Sequence, residues 1–112
     1  MDIINVYRSS DAESFRFIND LTRLVDNEGQ TLILGDFNLC YMAETGHQIF
    51  ETLRSLGLKQ IVKHPTHIEG RMIDLAFYCS PDARINFEAE QQAQLYSDHD
   101  LIQISRGTVL LY

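Results

Sequence analysis

Thr31-Leu32-Ile33-Leu34-Gly35-Asp36-Phe37-Asn38 is the stretch on which the fold turns. Its first four residues form a short, uncharged run, the mark of a strand covered on both faces. Gly35 allows the backbone a close approach to a ligand or to a neighbouring strand. In an extended chain Asp36 and Asn38 point to one side, and Phe37 points to the other, into the core. A carboxylate and a carboxamide at the carboxyl end of a buried strand lie where α/β sheets tend to bind ligands. The same residues also fit a polar strand exit into an Asx-type turn.

On the N-terminal side, Ile3-Ile4-Asn5-Val6-Tyr7 is rich in β-formers. Ser10-Asp11-Ala12-Glu13 fits a capping box, and behind it Phe15, Ile18, Leu21 and Val25 recur at helical spacing, with Gly29 as terminator. On the C-terminal side a second helix carries Ile49, Phe50, Leu53 and Leu56 inward and stops at Gly57. Gln60-Ile61-Val62-Lys63, Met72 to Tyr78, Arg84 to Glu88 and Leu101 to Ser105 then read as strands, punctuated by Pro65, Gly70 and Pro81. The order predicts an α/β (α+β) fold with a mixed sheet and helices on one face. No repeat, low-complexity tract or linker divides residues 1–112.

The chain has 112 residues, of which 45% are hydrophobic and 22% charged, as expected of one small globular domain. Its formal charge of −7 is the wrong sign for gripping nucleic acid by electrostatics alone. That sign suits carboxylates gathered around a divalent cation, and equally a protein with no charged partner. Cys40 and Cys79 lack a metal-knuckle or disulfide spacing and read as reduced thiols. There is no signal-peptide pattern and no apolar run near the roughly 20 residues that cross a bilayer. The expectation is a cytoplasmic or nuclear protein, not secreted and without a membrane partner.

Two further segments carry chemistry. Asp74, inside Met72-Ile73-Asp74-Leu75-Ala76-Phe77-Tyr78, sits where aspartate is disfavoured and needs a partner, unless it is a charge guarding an edge strand. Ser97-Asp98-His99-Asp100 places acid and imidazole at the start of a strand, or in a solvated loop. Taken together, Asp36, Asp74 and Asp98 would repel one another in one site unless a cation or protons offset them. With Mg²⁺ and His99 they meet the needs of phosphodiester hydrolysis: polarised phosphoryl oxygen, an oriented water, and a cationic imidazole for the developing charge. His64 and His67 flank Pro65-Thr66, a geometry that does not make a zinc pair. Tyr41 and Phe50 read as packing residues.

Gly35-Asp36-Phe37-Asn38, Arg71-Met72-Ile73-Asp74-Leu75 and Ser97-Asp98-His99, in this order, resemble the last three motifs of the endonuclease/exonuclease/phosphatase superfamily, which includes deoxyribonuclease I. Gln60-Ile61-Val62-Lys63-His64-Pro65-Thr66-His67, with Gly70 and Ile73-Asp74-Leu75, resembles endonuclease domains of non-LTR retrotransposons. Ile4-Asn5-Val6-Tyr7-Arg8 is similar to the strand bearing a phosphate-contacting tyrosine in that family. The resemblance implies that Asp36 activates water or shares the metal, and that Asn38 binds the scissile phosphate and holds Asp36. It further implies that Asp74 fixes His99, that His99 donates to a non-bridging oxygen, and that Asp98 binds Mg²⁺ (or Mn²⁺). Tyr7 and Arg8 would contact phosphate, and Thr66 and His67 would shape a loop near the site or touch nucleic acid.

Complete family members have a preceding half with an asparagine and a metal-binding glutamate, and pack two sheets into a four-layer α/β sandwich. The resemblance therefore implies about half of such a sandwich here. It also implies weak or no activity alone, and an apolar sheet face that a missing N-terminal half or a second copy would cover. DNA, through its phosphate backbone, is the implied substrate. A noncatalytic remnant serving as an interaction module, and a phosphatase acting on a small phosphoester, are the alternatives.

Overall fold

The uncharged run at Thr31 becomes an interior strand of the main sheet. The computed structural model describes residues 2–8, 14–25, 29–39, 41, 47–82 and 84–108. In chain order these form β1 (Asp2–Tyr7), α1 (Ser14–Leu24), β2 (Thr31–Asp36), α2 (His47–Ser55), β3 (Lys59–Gln60), β4 (Asp74–Cys79), β5 (Ile85–Gln92) and β6 (Leu101–Thr108). The main sheet has the order β1-β2-β4-β3, and β5 and β6 make a second, two-stranded sheet. β1 and β2 run parallel, joined through α1, while β2–β4, β3–β4 and β5–β6 are antiparallel. This is the mixed α/β arrangement that the element order predicts.

Side-chain alternation assigns the two faces of the sheet. Phe37, fully buried just beyond β2, has its ring centroid 5.8 Å from Phe17 of α1, 6.3 Å from Phe50 of α2 and 5.6 Å from Phe77 of β4. Both helices thus lie on one face, around an aromatic cluster that Tyr41 completes. Aromatic rings bury large areas and add pairwise attraction, so this cluster is the core's main source of cohesion. The opposite face carries Leu32 and Leu34 beside their ladder partners Tyr78 and Ala76. There Tyr78 meets Phe87 of β5 at 5.1 Å, so the β5–β6 pair is the cover. The cover stops short of β1, where Ile3 and Tyr7 are 62% and 80% exposed. A groove of about 180 Å³ runs between Leu34 and Ala76 of the sheet and Ile102 and Ile104 of β6.

The ends of the elements follow local chemistry. α2 closes with paired bonds from Gly57 N–H to Arg54 C=O and from Leu58 N–H to Leu53 C=O, with Gly57 at φ 87° and Leu58 buried behind it. That pattern is a Schellman cap, which a glycine makes without a Cβ penalty. α1 ends at Leu24, short of Gly29. The capping box at Ser10 to Glu13 lies outside the described residues.

β3 covers only Lys59–Gln60, not Gln60 to Lys63 as expected. Gln60 itself ends the strand: its carboxamide donates to Val62 C=O and accepts from Val62 N–H, taking the place of a ladder neighbour. β4 begins two residues later than expected because Ile73 N–H turns to the Thr66 hydroxyl. β5 and β6 are longer than expected, eight residues each, since they pair along their whole length.

Gly35 is the residue on which the β1–β2 approach depends. It has φ 142°, and a Cβ there would lie 1.9 Å from the Val6 carbonyl oxygen. Gly35→Ala should therefore cost on the order of 3 kcal/mol or more, since backbone rather than a flexible side chain must yield. Gly57→Ala meets open space and should cost only the left-handed penalty, about 1–2 kcal/mol. Urea unfolding of both variants tests this, and equal losses would refute the close-approach argument.

Candidate active site

Tyr7, Asp36 and Asp74 lie in one row across three neighbouring strands. Tyr7 is the register partner of Asp36, and Asp36 that of Asp74. The row marks the carboxyl ends of β1 and β2 and the beginning of β4. β3 pairs with β4 only at Phe77 and Tyr78, so on that side Asp74 N–H is met by the Thr66 hydroxyl, and the Asp74 carboxylate is engaged by His99. His99, from the β5–β6 connection, places its Nδ1 2.6 Å from Asp74 Oδ2. Single ligand-type atoms of Asp36, Asp74 and His99 all fall within 4.8 Å of one another, as do those of His67, Asp98 and His99. The three motifs therefore converge through one shared imidazole.

Beyond Asp36 the chain is not extended. Asn38 has φ 50°, and its N–H donates to Asp36 Oδ1 at 2.8 Å, an Asx turn. Asn38 thus holds Asp36 through its backbone rather than its carboxamide. Asparagine tolerates this left-handed conformation better than most residues.

The loop bearing Asp98 and His99 is fastened to the segment after Pro65. Ile68 N–H donates to Asp98 C=O at 2.8 Å, and Asp100 N–H donates to Thr66 C=O at 2.7 Å. Thr66 is fully buried, and its hydroxyl accepts from Asp74 N–H at 3.0 Å and Ile73 N–H at 3.3 Å. It therefore ties the backbone of Asp74 and the His99 loop together. His67 Nε2 contacts Asp98 Oδ2 at 3.1 Å. Gln91 of β5 adds a third fastening, exchanging bonds with His64 N–H and C=O and reaching Pro65 C=O. Neither Gln91 nor Gln94, which donates to His99 C=O, is conspicuous in the sequence. A glutamine among polar neighbours has no periodic signature; the register of β5 brings Gln91 to the loop, and Gln94 lies within the connection itself.

Arg8 is not brought to this site. It is buried, with its guanidinium 5.8 Å from the Phe17 ring centroid, on the helix side of the sheet. His64 is joined to Gln91 by its backbone and shares no cluster with His67.

His99 has its pKa raised, chiefly by the hydrogen bond to Asp74. The charges of Asp74, Asp36 and Asp98 add to this, and burial opposes it. A cation has oxygen donors here. Asp36 gives only one oxygen to the Asn38 N–H, and Asp98 is 59% exposed. Mg²⁺ commonly takes one or two carboxylates, with water and substrate phosphate filling the other positions, so this donor set fits a loosely held ion.

Residues 1–103 match the family described as endonuclease-reverse transcriptase, and the chain belongs to that family. This makes it a nuclease-like domain of the phosphodiester-hydrolysing kind, in agreement with the resemblance of its three motifs. No curated protein and no solved structure matches it. No helix among the described residues is long and apolar enough to cross a membrane.

Two expectations follow. Because its pKa is raised on folding, His99 stabilises the fold fully below the ordinary imidazole value and loses that contribution as the pH climbs through the raised one. An NMR titration should place the His99 midpoint above about 6.5, and Asp74→Asn should lower it; a midpoint indifferent to Asp74→Asn would contradict the assignment. Thr66→Val should cost about 1–3 kcal/mol by leaving buried amides without an acceptor, whereas Thr66→Ser should retain most of the stability. Equal stability of the two variants in urea would remove the hydroxyl from this account.

Proposed function

We propose that the chain carries the centre of a Mg²⁺-dependent endonuclease acting on the phosphodiester backbone of DNA. The observation that carries this reading is the convergence of Asp36, Asp74 and His99 within 4.8 Å, in a chain of the endonuclease-reverse transcriptase family.

Each residue has a role that its position supports. Asp36, fixed by the Asn38 N–H, orients the attacking water and takes its proton. His99, kept cationic by Asp74, donates from Nε2 to a non-bridging phosphoryl oxygen as charge builds there. Asp74 acts only through His99, fixing the ring so that Nδ1 is engaged and Nε2 is turned toward the Asp98 side of the site. The Asn38 carboxamide binds the scissile phosphate. Tyr7, at the exposed end of the row, contacts the phosphate or the leaving oxygen, which departs as the P–O bond breaks and takes up a proton. Asp36 and Asp98 would hold Mg²⁺ or Mn²⁺, whose chemistry is to polarise the phosphoryl oxygen.

Supercoiled plasmid and Mg²⁺ give the test. The chain should nick slowly, since few carboxylates hold the ion. His99→Ala should reduce that rate by about 10²–10⁴-fold, the usual contribution of a positioned acid. A nicking rate that survives His99→Ala, or that survives chelation of Mg²⁺, would reject the proposal. Faster turnover of a small soluble phosphoester than of plasmid would redirect it to a phosphatase.

A further inference from the structure

Asp98 is the least anchored member of the site. It lies on a connecting loop, is 59% exposed, and is linked to the Asp36–Asp74 cluster only through His99, which both clusters share. Among the described residues, one side-chain donor reaches its carboxylate at hydrogen-bonding distance: His67, with Nε2 3.1 Å from Oδ2. His99 Nε2 is 3.8 Å from Oδ1, too far for such a bond.

We propose that His67 is a positioning residue for Asp98, holding Oδ2 through Nε2–H so that Oδ1 is the oxygen offered to the cation. The proposal rests on the cation-dependent reading given above.

The proton inventory of the ring supports it. His67 Nδ1 accepts from Glu69 N–H at 3.2 Å, so in the neutral ring the proton is on Nε2, the atom that faces Asp98. The ring side chain is only 12% exposed, and it stands edge-to-face with His99 at 5.0 Å between centroids. Backbone pairing of His67 with His99 sets both rings on the same short rung. His67 is thus the buried partner and Asp98 the exposed one.

The same inventory excludes a competing use of these atoms. His67, Asp98 and His99 form a cluster of the kind that binds transition metals, and His99 has the carboxylate behind Nδ1 that such a ligand needs. A metal on His67 Nε2 would move its proton to Nδ1, against the Glu69 N–H. The hydrogen bonds therefore favour His67 as a donor to Asp98 over His67 as a ligand.

Two measurements on the 112-residue chain test this. Long-range ¹H–¹⁵N spectra, recorded where the ring is uncharged, should show His67 as the Nε2–H tautomer, with Nε2 shifting on Asp98→Asn. The Nδ1–H tautomer, or a Nε2 signal indifferent to Asp98→Asn, would overturn the proposal. Titration with Mn²⁺ alone, read as broadening of the Asp98 and His99 amide signals, gives the second. His67→Leu should raise the half-broadening concentration about 10-fold, the lower end for outer ligands. His67→Gln, which keeps a donor at the place of Nε2, should return it to within about threefold on the same reasoning. Failure of Gln to restore what Leu removes would overturn the proposal, as would tight Zn²⁺ binding that is lost in His67→Gln. If the unsubstituted chain shows no broadening at any Mn²⁺ concentration, the cation-dependent function fails, and the tautomer spectrum still decides the His67–Asp98 bond by itself.

Discussion

Asp36 and Asp74 stand directly opposite each other on an antiparallel ladder. Opposed side chains there are about 4.5–5.5 Å apart at Cβ, and like charges so placed repel. Neither residue is free to turn away. Asp36 is held by the Asn38 N–H at 2.8 Å, and the backbone of Asp74 by the Thr66 hydroxyl at 3.0 Å. A cation or a proton relieves that repulsion, and a protonated His99 supplies a positive charge within 2.6 Å of Asp74. The raised pKa of His99 is the same interaction seen from the imidazole.

This requirement accounts for the shape of the second sheet. β5 and β6 cover the face around Tyr78 and Ala76, yet their connection turns back over the ends of β2 and β4 instead of closing tightly. Its return is fastened to residues 66–68 by backbone bonds and to residues 64–65 by Gln91. An imidazole on a loose loop would lose rotamer and backbone freedom on meeting Asp74, and that entropy would oppose the ion pair. Fastening the loop by these bonds removes part of that cost before any ligand arrives.

The parts of the fold legible in the sequence were those with a period or a run. Leu32-Ile33-Leu34 reads as a strand buried on both faces, and it lies between the helices and the β5–β6 pair. The spacing of Ile49, Phe50 and Leu53 reads as an inward helix face, and all three are buried. Gly57 reads as the stop, and it is the cap. What escaped was set by single side chains acting on distant or local backbone. The carboxamide of Gln60 ends β3, the Thr66 hydroxyl ends the approach to β4, and the turn at Asn38 redirects a segment that alternation treats as extended. At the site Asp74 was legible because aspartate is disfavoured inside a strand, whereas Asp36, Asp98 and His99 were legible only through the order of the three motifs. Arg8 looked like a phosphate contact because it follows Tyr7, but alternation at the end of β1 sends it to the helix face, over Phe17. The role of Gln91 could not be read, since it depends on the register of β5.

An acidic chain of formal charge −7 in a nuclease family poses an electrostatic problem that the local arrangement bears on. On the proposed reading, a nucleic-acid backbone at this site would meet the negative charges of Asp36, Asp74 and Asp98. The imidazolium of His99 offsets one of the three charges and leaves two. That remainder equals the charge of a single divalent ion, which on the proposed cation-dependent reading would let a phosphate enter before it polarised a phosphoryl oxygen. The demand also explains why the carboxylates are unequally anchored. Asp36 and Asp74 are fixed by the ladder and define where charge must be offset, whereas Asp98 sits on the loop and needs a donor of its own to stay in range. A site built with all three acids on the ladder would hold its repulsion permanently within the sheet, at the expense of the fold; placing one on a fastened loop moves that strain to the element that the core depends on least.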